Sequence, residues 1–80
     1  MALSFQSVDV SSVTNGRGRF TYDFDKPVDQ VFASADSLTP LALSAAVTGE
    51  DGKQVTVTVY SNGSPVSSKR VNVSLLGVHH

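Results

Sequence analysis

Three aspartates, Asp23, Asp25 and Asp29, fall within one short stretch of the chain. Carboxylates at alternate positions can present oxygen ligands to Ca²⁺. The stretch lacks the dense Asp/Asn/Gly loop of a strong calcium motif, and acids flanking an edge strand also discourage aggregation. No cofactor or metal is therefore expected, with calcium on these aspartates left open. Glu50 and Asp51 are adjacent carboxylates, as acid–base chemistry would require. They sit where a hairpin tip is expected, and solvent there gives no reason for a shifted pKa. Arg17-Gly18-Arg19 offers two guanidiniums to an anion, or simply a solvated turn. His79 and His80 are the only histidines. At the end of the chain nothing holds them in catalytic geometry, and they are set aside. No nucleophile–base–orienter set and no phosphate loop is legible, so a non-enzymatic role is expected. Loop asparagines, aspartates and tyrosines remain, and these suit sugar hydroxyls and other polar ligands. The candidate ligand-binding residues are Asn15, Arg17, Asp25, Asp29, Tyr60 and Asn62.

Strands must position these groups. Gln54-Val55-Thr56-Val57-Thr58-Val59-Tyr60 alternates apolar and polar residues without a break. A period of two puts the valines on one face of a pleated strand and the threonines on the other. Turn residues bracket it, Gly49–Gly52 before and Ser61–Pro65 after. The chain is organised around this strand. Upstream, apolar groups at Leu3, Phe5, Val8, Val10 and Val13 predict a strand over Ala2–Val13. Its phase slips between Phe5 and Val8, as a bulge or an extended arm would produce. Asn15-Gly16 then predicts a hairpin into Arg19–Phe24, because both residues tolerate positive φ. Phe20, Tyr22 and Phe24 share one face of that strand and supply the bulk of one half of the core. Pro27 breaks the pairing.

Val28–Asp36 predicts a third strand. Leu41–Thr48 contains good helix formers, but its alternation and short length favour strand. From Pro65 a last run alternates Val71, Val73 and Leu75 with polar residues and ends at Gly77. The sequon Asn72-Val73-Ser74 lies inside it, which weighs against use as a glycosylation site. Sequential strands usually pair. The fold class expected is all-β, a small six-stranded antiparallel β-sandwich, as one domain over residues 1–80.

Composition narrows the function classes. Six basic and seven acidic residues give a net charge of −1, which argues against nucleic acid and anionic membranes. No segment reaches the roughly 18 apolar residues of a membrane span, and Met1–Phe5 lacks the features of a signal peptide. The chain has no cysteine, which removes disulfides and thiolate metal sites together.

The run Phe24-Asp25-Lys26-Pro27-Val28-Asp29-Gln30-Val31-Phe32-Ala33-Ser34, followed by Val47-Thr48 and then Val55-Thr56-Val57-Thr58-Val59, resembles the H-type lectin domains. The resemblance covers about half the chain. It implies a six-stranded antiparallel sandwich, trimeric assembly, and binding of N-acetylgalactosamine-type sugars at subunit junctions. The chain departs from that family in being shorter, in having no tryptophan, and in lacking the family's later aromatic-rich strand. A bacterial Ig-like or phage-surface module would give a similar sequence.

Two expectations follow. The chain is read as a non-catalytic binding or assembly module, such as a piece of a virion, phage tail or cell-surface array. The alternative is a carbohydrate-binding domain. It is also expected to be a homo-oligomer, a trimer ahead of a dimer. A core of 80 residues without disulfide or metal is marginal. Moreover, Phe32 opposes Val31 and Ala33, Leu76 opposes Leu75, and Phe5 is out of phase with Val8. Two packed sheets need one apolar face each, so this surplus must be exposed or buried against a partner.

Overall fold

The computed structural model describes residues 3–79; Met1, Ala2 and His80 lie outside them. The described residues form strands and loops with no helix. The strands are β1 (Ser4–Val13), β2 (Arg19–Asp23), β3 (Gln30–Ala35), β4 (Ala42–Val47), β5 (Gln54–Ser61), β6 (Ser64–Pro65) and β7 (Arg70–His79). Thus there are seven strands in place of the six expected, the extra one being the two-residue β6. The helix-forming composition of Leu41–Ala46 does not prevail, and residues 42–47 are strand.

Two antiparallel sheets result. One has the order β1-β7-β3, and the other has β2-β5-β4 with β6 also paired to β5. Each is built on a central strand whose inward residues are β-branched or leucine. In β5 these are Val55, Val57 and Val59, each 0% exposed; in β7 they are Val71, Val73 and Leu75. Phe20, Phe24 and Val28 join the same core, with Val8, Val10, Tyr22, Val31, Leu43 and Val47 packed around it. The Tyr22 and Phe24 rings meet edge to face, with centroids 5.2 Å apart.

The connectivity differs from the expected pairing of sequential strands. Only β4–β5 and β5–β6 are consecutive pairs; β1 and β3 both pair with β7, and β2 pairs with β5. Asn15-Gly16 is therefore not a hairpin but a crossing from one sheet to the other. The positive φ in that loop belongs to Gly18 (φ 78). The true two-residue hairpin is Asn62-Gly63, with φ of 52° and 81°, joining β5 to β6. Both central residues at positive φ match the right-handed twist of the flanking strands.

Three further boundaries shift. The β1–β7 register runs unbroken from Ser4 opposite His79 to Val13 opposite Arg70, so β1 has no bulge. Phe5 is out of phase with Val8 because it lies on the outer face. Gly77 does not end the last strand, which continues to His79. Val28 precedes β3 and is only 3% exposed. It plugs the end of the core beside Gly77, whose missing Cβ would stand 2.6 Å from the Val28 Cγ1.

Candidate functional site

The residues singled out for binding lie in two groups at opposite ends of β2. Asn15 and Arg17 precede that strand, and Asp25 and Asp29 follow it. Tyr60 and Asn62 belong with the first group, since Gly18 packs against Val59 and Pro65 at the far end of β5. The six do not converge on one site.

At the Asn15 end the polar groups are engaged in holding two loops together. The Asn15 Oδ1 accepts from the Arg17 amide at 2.8 Å and the Arg19 amide at 3.1 Å. Its backbone amide donates to the Arg19 carbonyl, and its carbonyl accepts from Gly18 and Ser68. The loop between β6 and β7 closes onto this turn. Ser67 Oγ donates to the Gly16 carbonyl at 2.9 Å, and the Thr14 hydroxyl donates to the Val66 carbonyl. Asn15 is thus a turn-building residue, as its short side chain suits it to be. Arg17 projects from the turn, exposed. Asn62 is exposed in its hairpin, and Tyr60 is half-buried on the outer face of β5, opposite Ala42 and Pro65.

The other end carries a concavity with two walls. A cleft of about 460 Å³ is lined by Ser4, Phe5, Gln6, Asp25, Lys26, Pro27 and His79. Its two walls are the start of β1 and the loop from β2 to β3. Gln6 ties them together: its Nε2 donates to the Lys26 carbonyl at 3.0 Å, and its Oε1 accepts from the Lys26 amide at 3.4 Å. Asp25 contributes a carboxylate, Lys26 an ammonium, and Phe5 a ring that is 60% exposed. The volume falls within the range of small-ligand sites, and an aromatic face beside a few polar groups suits a polar organic ligand.

Asp29 sits nearby but is otherwise employed. Its amide donates to the Val78 carbonyl at 2.7 Å, and its Oδ2 lies 3.4 Å from the His79 Nδ1. Both side chains are about half exposed, so this ion pair contributes little when the imidazole is protonated. Asp23 points elsewhere, into a shallow depression with Glu50 and Asp51. The Asp51 Oδ1 accepts from the Lys53 amide at 2.9 Å, an interaction of the turn itself. Among the described residues, no three His, Cys, Asp or Glu come together as a metal site. The three aspartates considered for calcium therefore diverge instead of forming a cage.

Sequence reasoning missed Phe5, Gln6, Lys26 and His79 at the cleft. Nothing in its terminal position points to His79, yet it lies in β7 and pairs with Ser4 of β1. The out-of-phase Phe5 was the one available signal, since an aromatic ring on a solvent face has to be explained by something it touches.

A second feature is the outer face of the β1-β7-β3 sheet. Register puts Phe5, Val78 and Gln30 in one row and Ser7, Leu76 and Phe32 in the next. Val78 is buried under its neighbours, while Phe5, Phe32 and Leu76 are 60%, 58% and 36% exposed. The rows beyond are polar, where Ser74 Oγ donates to the Asp9 Oδ1 at 2.9 Å. The apolar surplus anticipated from the sequence thus lies on one contiguous patch. The opposite sheet presents Thr21, Ser44, Thr56 and Thr58 outward, with the Thr48 and Thr56 hydroxyls 2.8 Å apart. No helix of the described residues is long and apolar enough to cross a membrane. Compared with known proteins, the chain matches no family model, no curated protein and no solved structure.

Proposed function

We propose that this chain is a non-catalytic assembly module, a small β-sandwich that joins copies of itself or neighbouring subunits in a larger array such as a virion, phage tail or cell surface. The observation that carries the reading is the outer face of the β1-β7-β3 sheet. Phe5, Phe32 and Leu76 lie on adjacent rows there, and each is more than a third exposed. Scattered surface apolar residues need no explanation, but a contiguous patch of large ones marks an interaction surface. Light scattering coupled to size exclusion tests it. The parent chain is expected to elute above its 8.4 kDa chain mass, and Phe32→Ser with Leu76→Ser is expected to lower the mass at which it elutes. A parent that stays at one chain mass at high micromolar concentration refutes the reading.

The cleft beside Asp25 favours a second reading, a carbohydrate-binding domain. Phe5 and the Asp25 carboxylate stand together there, as stacking and hydroxyl recognition need. A glycan array separates the two. Saturable binding to one sugar family that is abolished by Asp25→Ala supports this second reading, and a flat array removes it.

A further inference from the structure

We propose that β1 pairs antiparallel with β1 of a second copy about a two-fold axis at Asp9, joining two β1-β7-β3 sheets into one continuous sheet. This rests on the assembly reading and adds the partner, the strand and the register.

The two sides of the molecule are not alike. On one side β3 and β4 lie against each other, so their edges are mutually covered. On the other, β1 pairs with β7 on one flank, and no strand of the described residues pairs with its other flank. Natural edges are blunted by charged side chains, proline, bulges or short length. β1 has one of these devices, the exposed carboxylate of Asp9. It is otherwise 10 residues long, with an unbroken register and no proline. Its inward valines, Val8 and Val10, are only half-buried, whereas those of β7 are buried fully. The exposed large residues of β1 stand near its two ends, Phe5 at 60% and Val13 at 52%.

Those ends identify the occupant. In an antiparallel pair, residues directly opposite share a face. Outward residues must therefore meet outward residues, which permits only registers centred on a residue. Two such registers overlap almost the whole strand, one centred on Val8 and one on Asp9. Centring on Val8 sets Phe5 against Ser11 and Gln6 against Val10. Centring on Asp9 sets Phe5 against Val13, Val8 against Val10, Ser7 against Ser11 and Gln6 against Ser12. Apolar then meets apolar and polar meets polar at every position but the centre, and the two-fold repeats each match. The one unfavourable pair is Asp9 with its symmetry mate. A like-charge pair is comparable in size to a single matched pair, so the repeated matches outweigh it. A strand whose pattern reads the same in both directions about one residue fits a second copy of itself. The pairwise symmetry gives a dimer in place of the trimer that the lectin resemblance implies.

The test turns on Asp9, whose side chain is exposed and whose replacement leaves the core untouched. Sedimentation equilibrium is expected to give an even multiple of the 8.4 kDa chain mass for the parent, and twice that mass once Phe32→Ser with Leu76→Ser removes the outer patch. Asp9→Asn is expected to tighten the dimer by about two- to fivefold, since it removes the one opposed charge pair. Parent mixed with Asp9→Lys is expected to form mixed dimers above the statistical proportion, because only the mixed species sets lysine against aspartate. Under oxidation Asp9→Cys is expected to cross-link to itself and Val8→Cys is not; the chain has no other cysteine to interfere. An assembly unmoved by Asp9→Asn, or one in which Val8→Cys cross-links in place of Asp9→Cys, overturns the pairing. If such an assembly still falls apart on Phe32→Ser with Leu76→Ser, the assembly reading survives without the edge pair. A single-chain mass for parent and Asp9→Asn alike overturns both.

Discussion

Gly77 shows how one missing methyl group closes the core. It lies inside β7, and a Cβ there would stand 2.6 Å from the Val28 Cγ1 and 3.2 Å from the Phe24 Cζ. Both are core residues that seal the end of the sheets, so neither has room to retreat. Gly77→Ala is expected to cost about 1–3 kcal/mol as overpacking, read as a lower urea midpoint at unchanged slope. Thr14 is the complementary case, a polar residue only 2% exposed. Its hydroxyl donates to the Val66 carbonyl and accepts from the Lys69 amide at 3.2 Å. Thr14→Val keeps the shape and leaves those groups without their partner. The expected loss is about 1–3 kcal/mol, measured in the same denaturation experiment.

At the scale of elements, the two loops that contain Asn-Gly differ in which glycine takes the positive φ: Gly63 of the pair itself in one, and Gly18, not Gly16, in the other. Gly63 has φ of 81° with open space where a Cβ would stand. Gly18 has φ of 78°, and its Cβ would come 2.8 Å from the Val59 carbonyl and 3.1 Å from the Pro65 Cβ. Gly63→Ala is therefore expected to cost about 1 kcal/mol for backbone strain alone. Gly18→Ala carries the same strain plus the steric conflict, and its melting temperature is expected to fall further; equal losses would contradict this account. Strand existence was legible in the residues because it depends on local alternation. The valines of β5 and the aromatics of Phe20 and Phe24 are buried as their period demands. Pairing was not legible, because it depends on which strands compete for the same partner. Asn15-Gly16 carries a strong local hairpin signal, but β7 takes β1 and β5 takes β2. The turn then forms around the Asn15 side chain instead. The site was less legible still. Asp25 reaches the cleft, but Phe5 and His79 join it from strands remote in sequence.

The molecule as a whole is tied together by the pairing of β1 with β7. Ser4 stands opposite His79, so the first and last strands are neighbours. β7 is the centre of its sheet, the strand with which both β1 and β3 pair. It also contributes Val71, Val73 and Leu75 to the core and carries Leu76 on the outer patch. One whole sheet therefore waits for β7. Such non-local pairing incurs its loop-closure entropy before any ladder rewards it. Refolding is expected on the order of milliseconds to seconds, the range of β-rich domains of high contact order. The sheet β2-β5-β4 does not have this dependence on its own strands, since they end with Ser61. Its inner face, however, would be left open to water without β7. Removing residues 70–80 is thus expected to unfold the entire chain and not only one layer. Amide chemical-shift dispersion in an ¹⁵N–¹H spectrum checks this. Collapse of all resonances into the random-coil range is expected. A surviving dispersed set from β2, β4 and β5 would show that the second sheet stands without the first.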